Sequence, residues 1–137
     1  MAKKKSLYKN LSYEELDDHG ACHGGLVWVE KQFKDKEFTI NQLLARLVAT
    51  KQSDEWVVWV METFRPVCEE RVVDKAVQFL MGICSKGDRK HHILSDLAKY
   101  FWYAVDSGDM ACIADAGYKL KLTEKQWKTV FRILYPE

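Results

Sequence analysis

Ser53-Asp54-Glu55-Trp56-Val57-Val58-Trp59-Val60-Met61-Glu62-Thr63-Phe64 is the stretch whose reading decides the fold. Valine and tryptophan favour strands, so residues 56–64 taken alone could form a buried strand. Three features favour a helix instead. Ser53 is a residue type that caps helix N-termini. Asp54 and Glu55 fall in the first turn, where the helix dipole favours acids. The apolar run is also long for a strand, and its neighbours carry helical periodicity. A helix that is apolar nearly all round is a central, buried one.

The pattern continues on both sides. Upstream, Thr39-Ile40-Asn41-Gln42 is a capping box, followed by an amphipathic face of Ile40, Leu43, Leu44, Leu47 and Val48. Before that, Cys22, Leu26, Val29 and Phe33 form one helical stripe from Ala21 to Phe33, and Trp28 falls off it. Ser12 and Glu15 have capping-box spacing and start a short helix that should stop near Gly20. Downstream, Pro66 suits the first turn of a helix with the stripe Cys68, Val72, Val73, Ala76, Val77 and Leu80. Ser85-Lys86-Gly87-Asp88 breaks the chain. Asp88 then caps a helix whose inner face is expected to be Leu94, Leu97, Ala98, Phe101, Trp102 and Val105. Ser107-Gly108-Asp109 ends it. One or two turns from Met110 should stop at Gly117, and Lys119-Leu120-Lys121-Leu122 alternates as an extended segment does. Thr123-Glu124-Lys125-Gln126 is a further capping box, and Trp127, Val130, Phe131 and Leu134 face inward from the last helix. The expectation is an all-α fold, a single compact bundle of about seven helices spanning residues 1–137, with a basic, flexible segment at residues 1–10. The two T-x-x-Q boxes lie in segments that do not otherwise align, which reads against a duplication.

Composition limits the function classes. Of 137 residues, 47% are hydrophobic and 30% charged, ordinary values for a globular chain. The net charge of +1 is no general attraction for nucleic acid. Charge is nevertheless uneven: residues 1–10 hold four lysines and no acid, and from Gly117 onward there are five bases against two acids. Lys3-Lys4-Lys5 leads into a polar stretch, which reads against a secretion signal. Ala2 reads against N-myristoylation, and no run approaches the roughly 18 apolar residues of a membrane span. Cys22, Cys68, Cys84 and Cys112 are far apart in apolar segments, as reduced, buried thiols of a cytosolic protein are.

Asp18-His19-Gly20-Ala21-Cys22-His23-Gly24-Gly25 is the densest chemical cluster. Helical geometry puts His19 and Cys22 on one face and turns His23 about 100° away. A structural zinc needs four N or S ligands; the others would have to come from His91-His92 or Cys84, and no C-x-x-C or H-E-x-x-H spacing is present. A catalytic thiolate needs a base beside it, whereas Cys22 opens an apolar stripe and is expected to be buried. Gly24-Gly25 and Lys86-Gly87-Asp88 match no phosphate-binding loop; Gly24-Gly25 should instead let another backbone come close. The expectation is therefore no catalytic residue, no metal ligand and no cofactor, with a metal- or thiol-dependent site at His19, Cys22 and His23 as an alternative.

Aromatic residues make up 12% of the chain and include five tryptophans. Off-stripe aromatics beyond the needs of a core favour a protein interface; the candidates are Trp28, Trp59, Tyr100 and Tyr103. A nucleic-acid surface is the rival, built from Lys119, Lys121, Lys125, Lys128 and Arg132 on and before the last helix. The segment from Ile113 has a turn too long for a helix-turn-helix.

Residues 16–64 resemble a loosely defined set of small proteins of bacteria, phages and prophages. They share an Ala-Cys-x-x-Gly-Leu-x-Trp helix, a Thr-capped helix and a Trp-x-x-Trp helix: here Ala21, Cys22, Gly25, Leu26 and Trp28, then Thr39, then Trp56 and Trp59. The set is helical and has no settled enzymatic activity. The resemblance implies a cytoplasmic setting in a bacterial or phage-infected cell and a non-enzymatic protein that acts by binding. An inhibitor of a host defence complex, anti-CRISPR-like in manner, fits that description.

Overall fold

The computed structural model describes residues 10–66, 69–85 and 100–136. Among them are eight helices and no strand. These are α1 (Tyr13–Asp18), α2 (His23–Phe33), α3 (Ile40–Ala49), α4 (Asp54–Thr63), α5 (Glu69–Ser85), α6 (residues 100–107), α7 (Met110–Lys119) and α8 (Glu124–Leu134). No described helix is long and apolar enough to cross a membrane. The all-α reading of residues 53–64 holds. Ser53 Oγ accepts from the Glu55 N–H at 3.2 Å, and Val57, Val60 and Met61 are buried.

The starts of the helices follow from side-chain chemistry. Thr39 and Thr123 both form complete capping boxes. Their hydroxyls accept from the N–H groups of Gln42 and Gln126 at 3.1 and 3.2 Å, and each glutamine accepts from its cap residue's N–H at 2.9 Å. Asp109 caps α7 by accepting from the Ala111 N–H at 3.0 Å. Three helices stop in the same way, with paired hydrogen bonds to their last carbonyls and a left-handed residue. Gly20 does this for α1 (φ +85°), Lys51 for α3 and Lys121 for α7 (both φ +54°).

One buried cluster takes side chains from every helix. α3 contributes Ile40, Leu43, Leu44 and Leu47, and α8 contributes Trp127, Val130, Phe131 and Leu134. Each such side chain contributes about 1.5–3 kcal/mol when fully buried. The two helices run antiparallel: Asn41 at the start of α3 donates to the carbonyl of Tyr135, at the end of α8, at 2.7 Å. The Tyr135 hydroxyl reaches the Met61 carbonyl of α4 at 3.5 Å. A single antiparallel bridge, Leu11 to Phe38, closes α1 and α2 against the start of α3.

Five expectations are corrected. Cys22 does not open a buried stripe: it is exposed and caps α2, its Sγ accepting from the Gly25 N–H at 3.4 Å. Gly24 and Gly25 face the Trp56 indole, not a backbone; added Cβ atoms would lie 3.7 and 3.9 Å from that ring. Gly117 does not end α7. It sits inside the helix because a Cβ there would fall 2.4 Å from Trp127 Cη2. Residues 119–122 are not extended: α7 runs through Lys119, Leu120 is its C-cap, and the alternation belongs to the left-handed stop at Lys121. On α6 the buried residues are Phe101 and Ala104, while Trp102 is 60% and Val105 46% exposed. Asp88, Leu94, Leu97 and Ala98, and with them the start expected for this helix, lie outside the described residues, as do Cys68 and residues 1–9.

Candidate functional site

The turn between α1 and α2 sets the chain for a pocket. Gly20 turns it out of α1, Ala21 hydrogen-bonds back to the Leu16 carbonyl at 3.0 Å, and Cys22 starts α2. Trp28 then lies one and a half turns along α2. On α4, Trp56 and Trp59 are three residues apart and share a face. Ala21, Cys22, Gly25, Trp28, Trp56 and Trp59 line one cavity of about 270 Å³. Its floor is core: Leu16, Val29, Leu43, Leu47 and Val60. Glu55, exposed in the first turn of α4, is the only charged residue among the described residues of the lining.

The tryptophans are held by one another and by their neighbours. Trp28 and Trp56 have ring centroids 6.1 Å apart at a tilt of 53°, and Trp28 meets Phe33 edge-on at 6.5 Å. Trp59 meets Phe64 edge-on at 6.2 Å. All three indoles are only partly buried against the core. The Trp28 Nε1 is buried and has no acceptor among the described residues. An unpaired buried donor costs about 1–3 kcal/mol.

The pocket thus collects Trp28 and Trp59 of the four aromatic candidates. Tyr100 is half-buried, with the Lys119 ammonium 5.6 Å from its ring centre. Tyr103 is 48% exposed beside the more exposed Trp102, edge to face at 5.1 Å. Neither lines the pocket. Trp56 and Glu55 were missed by sequence reasoning; the Trp-x-x-Trp spacing was the available signal, since it puts both rings on one helix face.

The histidine–cysteine cluster does not converge. His19 Nδ1 lies 2.7 Å from the Glu15 carbonyl and its ring packs on Phe64 at 4.8 Å, while Cys22 and His23 are exposed. Among the described residues, no three His, Cys, Asp or Glu side chains come together as metal ligands would. His91 and His92 lie outside them, as does the Cys84 side chain.

The perturbed titratable groups lie at the α4–α7 seam, away from the pocket. Burial, a hydrogen bond to Asp109 and the charges of Asp109 and Asp115 push the Cys112 thiol up to about 11. A thiol so raised stays protonated and is a poor nucleophile. Burial, then the charges of Asp54 and Asp109, raise Asp115, with Lys119 opposing. Tyr118 is raised by burial and by Asp54.

The basic candidates divide into two groups. Lys125, Lys128 and Arg132 are exposed along one face of α8. Lys119 and Lys121 belong to the end of α7, on the far side of the α7–α8 turn. No protein-family model matches the chain, and neither a curated protein nor a solved structure matches it.

Proposed function

We propose that this chain is a non-enzymatic binding protein whose pocket between the α1–α2 junction and α4 takes an apolar side chain from a protein partner. The observation that carries the reading is the convergence of Cys22, Gly25, Trp28, Trp56 and Trp59, from two separate stretches of sequence, on one cavity. A volume of about 270 Å³ suits a leucine- to tryptophan-sized anchor, and aromatic-lined pockets are where interfaces concentrate their binding energy. Glu55 at the lining favours a lysine or arginine in the same segment. The partner segment is therefore an apolar anchor flanked by a base.

The resemblance of residues 16–64 to small phage and bacterial proteins supports a bacterial or phage-infected cytoplasm as the setting. It also supports inhibition of a host defence complex as the use of the pocket.

Selection from a random peptide library tests the pocket. Enriched peptides should share an apolar residue next to Lys or Arg, and should lose at least ~10-fold in affinity on Trp59→Ala, the size expected for an interface anchor. Glu55→Lys should weaken them through the basic residue alone. Peptides that bind Trp59→Ala as tightly as the native chain would refute the assignment.

A further inference from the structure

A second concavity lies on the other side of α3. Leu43 and Leu47 line the tryptophan pocket, whereas Asn41, Gln42 and Ala49 lie on the opposite face at 100° per residue, with Arg46 between them on the edge that meets α2. With Lys128, Phe131 and Arg132 of α8 they line a groove of about 400 Å³. Among the described residues, three of those lining it are cations and none is a carboxylate. α3 contains no acid at all, and the only one in α8 is Glu124, in its first turn and outside the groove lining.

The cations are arranged as well as concentrated. Arg46 is held by the end of α2: its Nη1 donates to Gln32 Oε1 at 3.1 Å, and its guanidinium sits 5.5 Å from the Phe33 ring centre. Lys125, Lys128 and Arg132 recur at i, i+3 and i+7, so they line one face of α8 over about 10 Å. One strand of a duplex presents about three phosphates in that length. Phe131, the only aromatic among the described residues that line the groove, is 1% exposed and offers no ring face for a base to stack on. Single-stranded recognition relies on such faces. Cations without stacking platforms suit the phosphates of a duplex.

We infer that the α3–α8 groove and the α8 face beside it bind the backbone of double-stranded nucleic acid without reading its sequence, through Arg46, Lys128 and Arg132 of the groove lining and Lys125, which lies outside the lining one turn before Lys128 on the same face of α8. Arg46 is the residue that the linear sequence leaves out, because it comes from a different helix. The site is separate from the tryptophan pocket, and either can hold without the other.

Fluorescence anisotropy with a random-sequence DNA duplex at several salt concentrations tests the inference on the full chain. Four phosphate contacts predict a log–log salt slope of roughly −3 to −4. Arg46→Ala, Lys125→Ala, Lys128→Ala and Arg132→Ala should each make that slope shallower by about 1. Arg46→Lys should keep the slope, and it separates lost charge from lost packing on Phe33. Thermal unfolding by circular dichroism should be unchanged in the three lysine and arginine variants of α8. Lys119→Ala and Lys121→Ala, outside the groove, should leave the slope as it is. The inference is overturned if those two substitutions change the slope and the groove variants do not. It is equally overturned if polyglutamate binds and the duplex does not compete with it, since the site would then take acidic protein.

Discussion

Trp127 and Trp56 both lie against glycines of a neighbouring helix, but the two contacts differ. Trp127 is 3% exposed and fills the notch at Gly117 so closely that a methyl group there would overlap its ring. It also stacks on Phe131 at 5.5 Å and tilts against Tyr118 at 4.9 Å. Trp56 stands at ordinary van der Waals distance from Gly24 and Gly25, is only half-buried, and borders a cavity. The same pairing of residue types therefore makes core at α7–α8 and an open site at α2–α4. What separates them is the space around the ring, which depends on partners distant in sequence.

Substitutions of the two rings should break the comparison most strongly. Trp127→Ala should cost about 3–5 kcal/mol of stability, measured by urea unfolding. Trp56→Ala should cost less than about 2 kcal/mol, because its ring is only partly removed from water. Equal costs would mean that Trp56 is core after all. The glycines give the converse test. Gly117→Ala should destabilise by about 1–3 kcal/mol through overpacking against Trp127, whereas Gly24→Ala should be neutral or stabilise by up to about 1 kcal/mol through helix propensity.

The capping and helix-stop geometry predicts a smaller effect of opposite sign. Lys121 holds a left-handed backbone at the end of α7, a conformation that costs a side-chain-bearing residue about 1 kcal/mol. Lys121→Gly should therefore raise the unfolding midpoint. A lowered midpoint would show that the Lys121 side chain does more than end the helix.

The two cysteines whose side chains are described extend the contrast to reactivity and pH. Cys22, exposed at the pocket, should be alkylated faster than the half-buried Cys112, as peptide mapping would show. The folded protein holds the Cys112 proton more tightly than the unfolded chain does, since the thiol is raised from 9.0 to about 11. Its stabilising contribution is present below pH 9 and is lost as pH rises toward about 11. Cys112→Ser should flatten that alkaline decline in stability, the smallest of these effects.

Most of the helices were legible because their signals are local. The Ser53 cap, the Thr39 and Thr123 boxes, the Gly20 stop and the stripes of α3 and α8 each lie within one or two turns of chain. The misread residues depend on contacts between helices. Gly117 reads as a breaker until Trp127 is brought against it, and Lys121 stands where a glycine is the usual signal. Cys22 fits the apolar stripe by spacing, yet a two-residue shift in the start of α2, from Ala21 to His23, makes it a cap. Trp102 was assigned inward on a stripe that Phe101 and Ala104 define instead. Of the pocket, Trp28 and Trp59 were visible as off-stripe aromatics. Trp56 and Glu55 were not, because only the packing of α4 on α2 makes them neighbours of Trp28. Arg46 was missed for the same reason, one helix away from the lysines it joins.

The most direct test is the response of the five indole N–H signals in a ¹H–¹⁵N spectrum to a peptide carrying leucine beside arginine. Occupation of the α2–α4 pocket should shift the signals of Trp28, Trp56 and Trp59 and leave Trp127 in place. A response confined to Trp102, or none at any of the three pocket indoles, would contradict the pocket as the binding site.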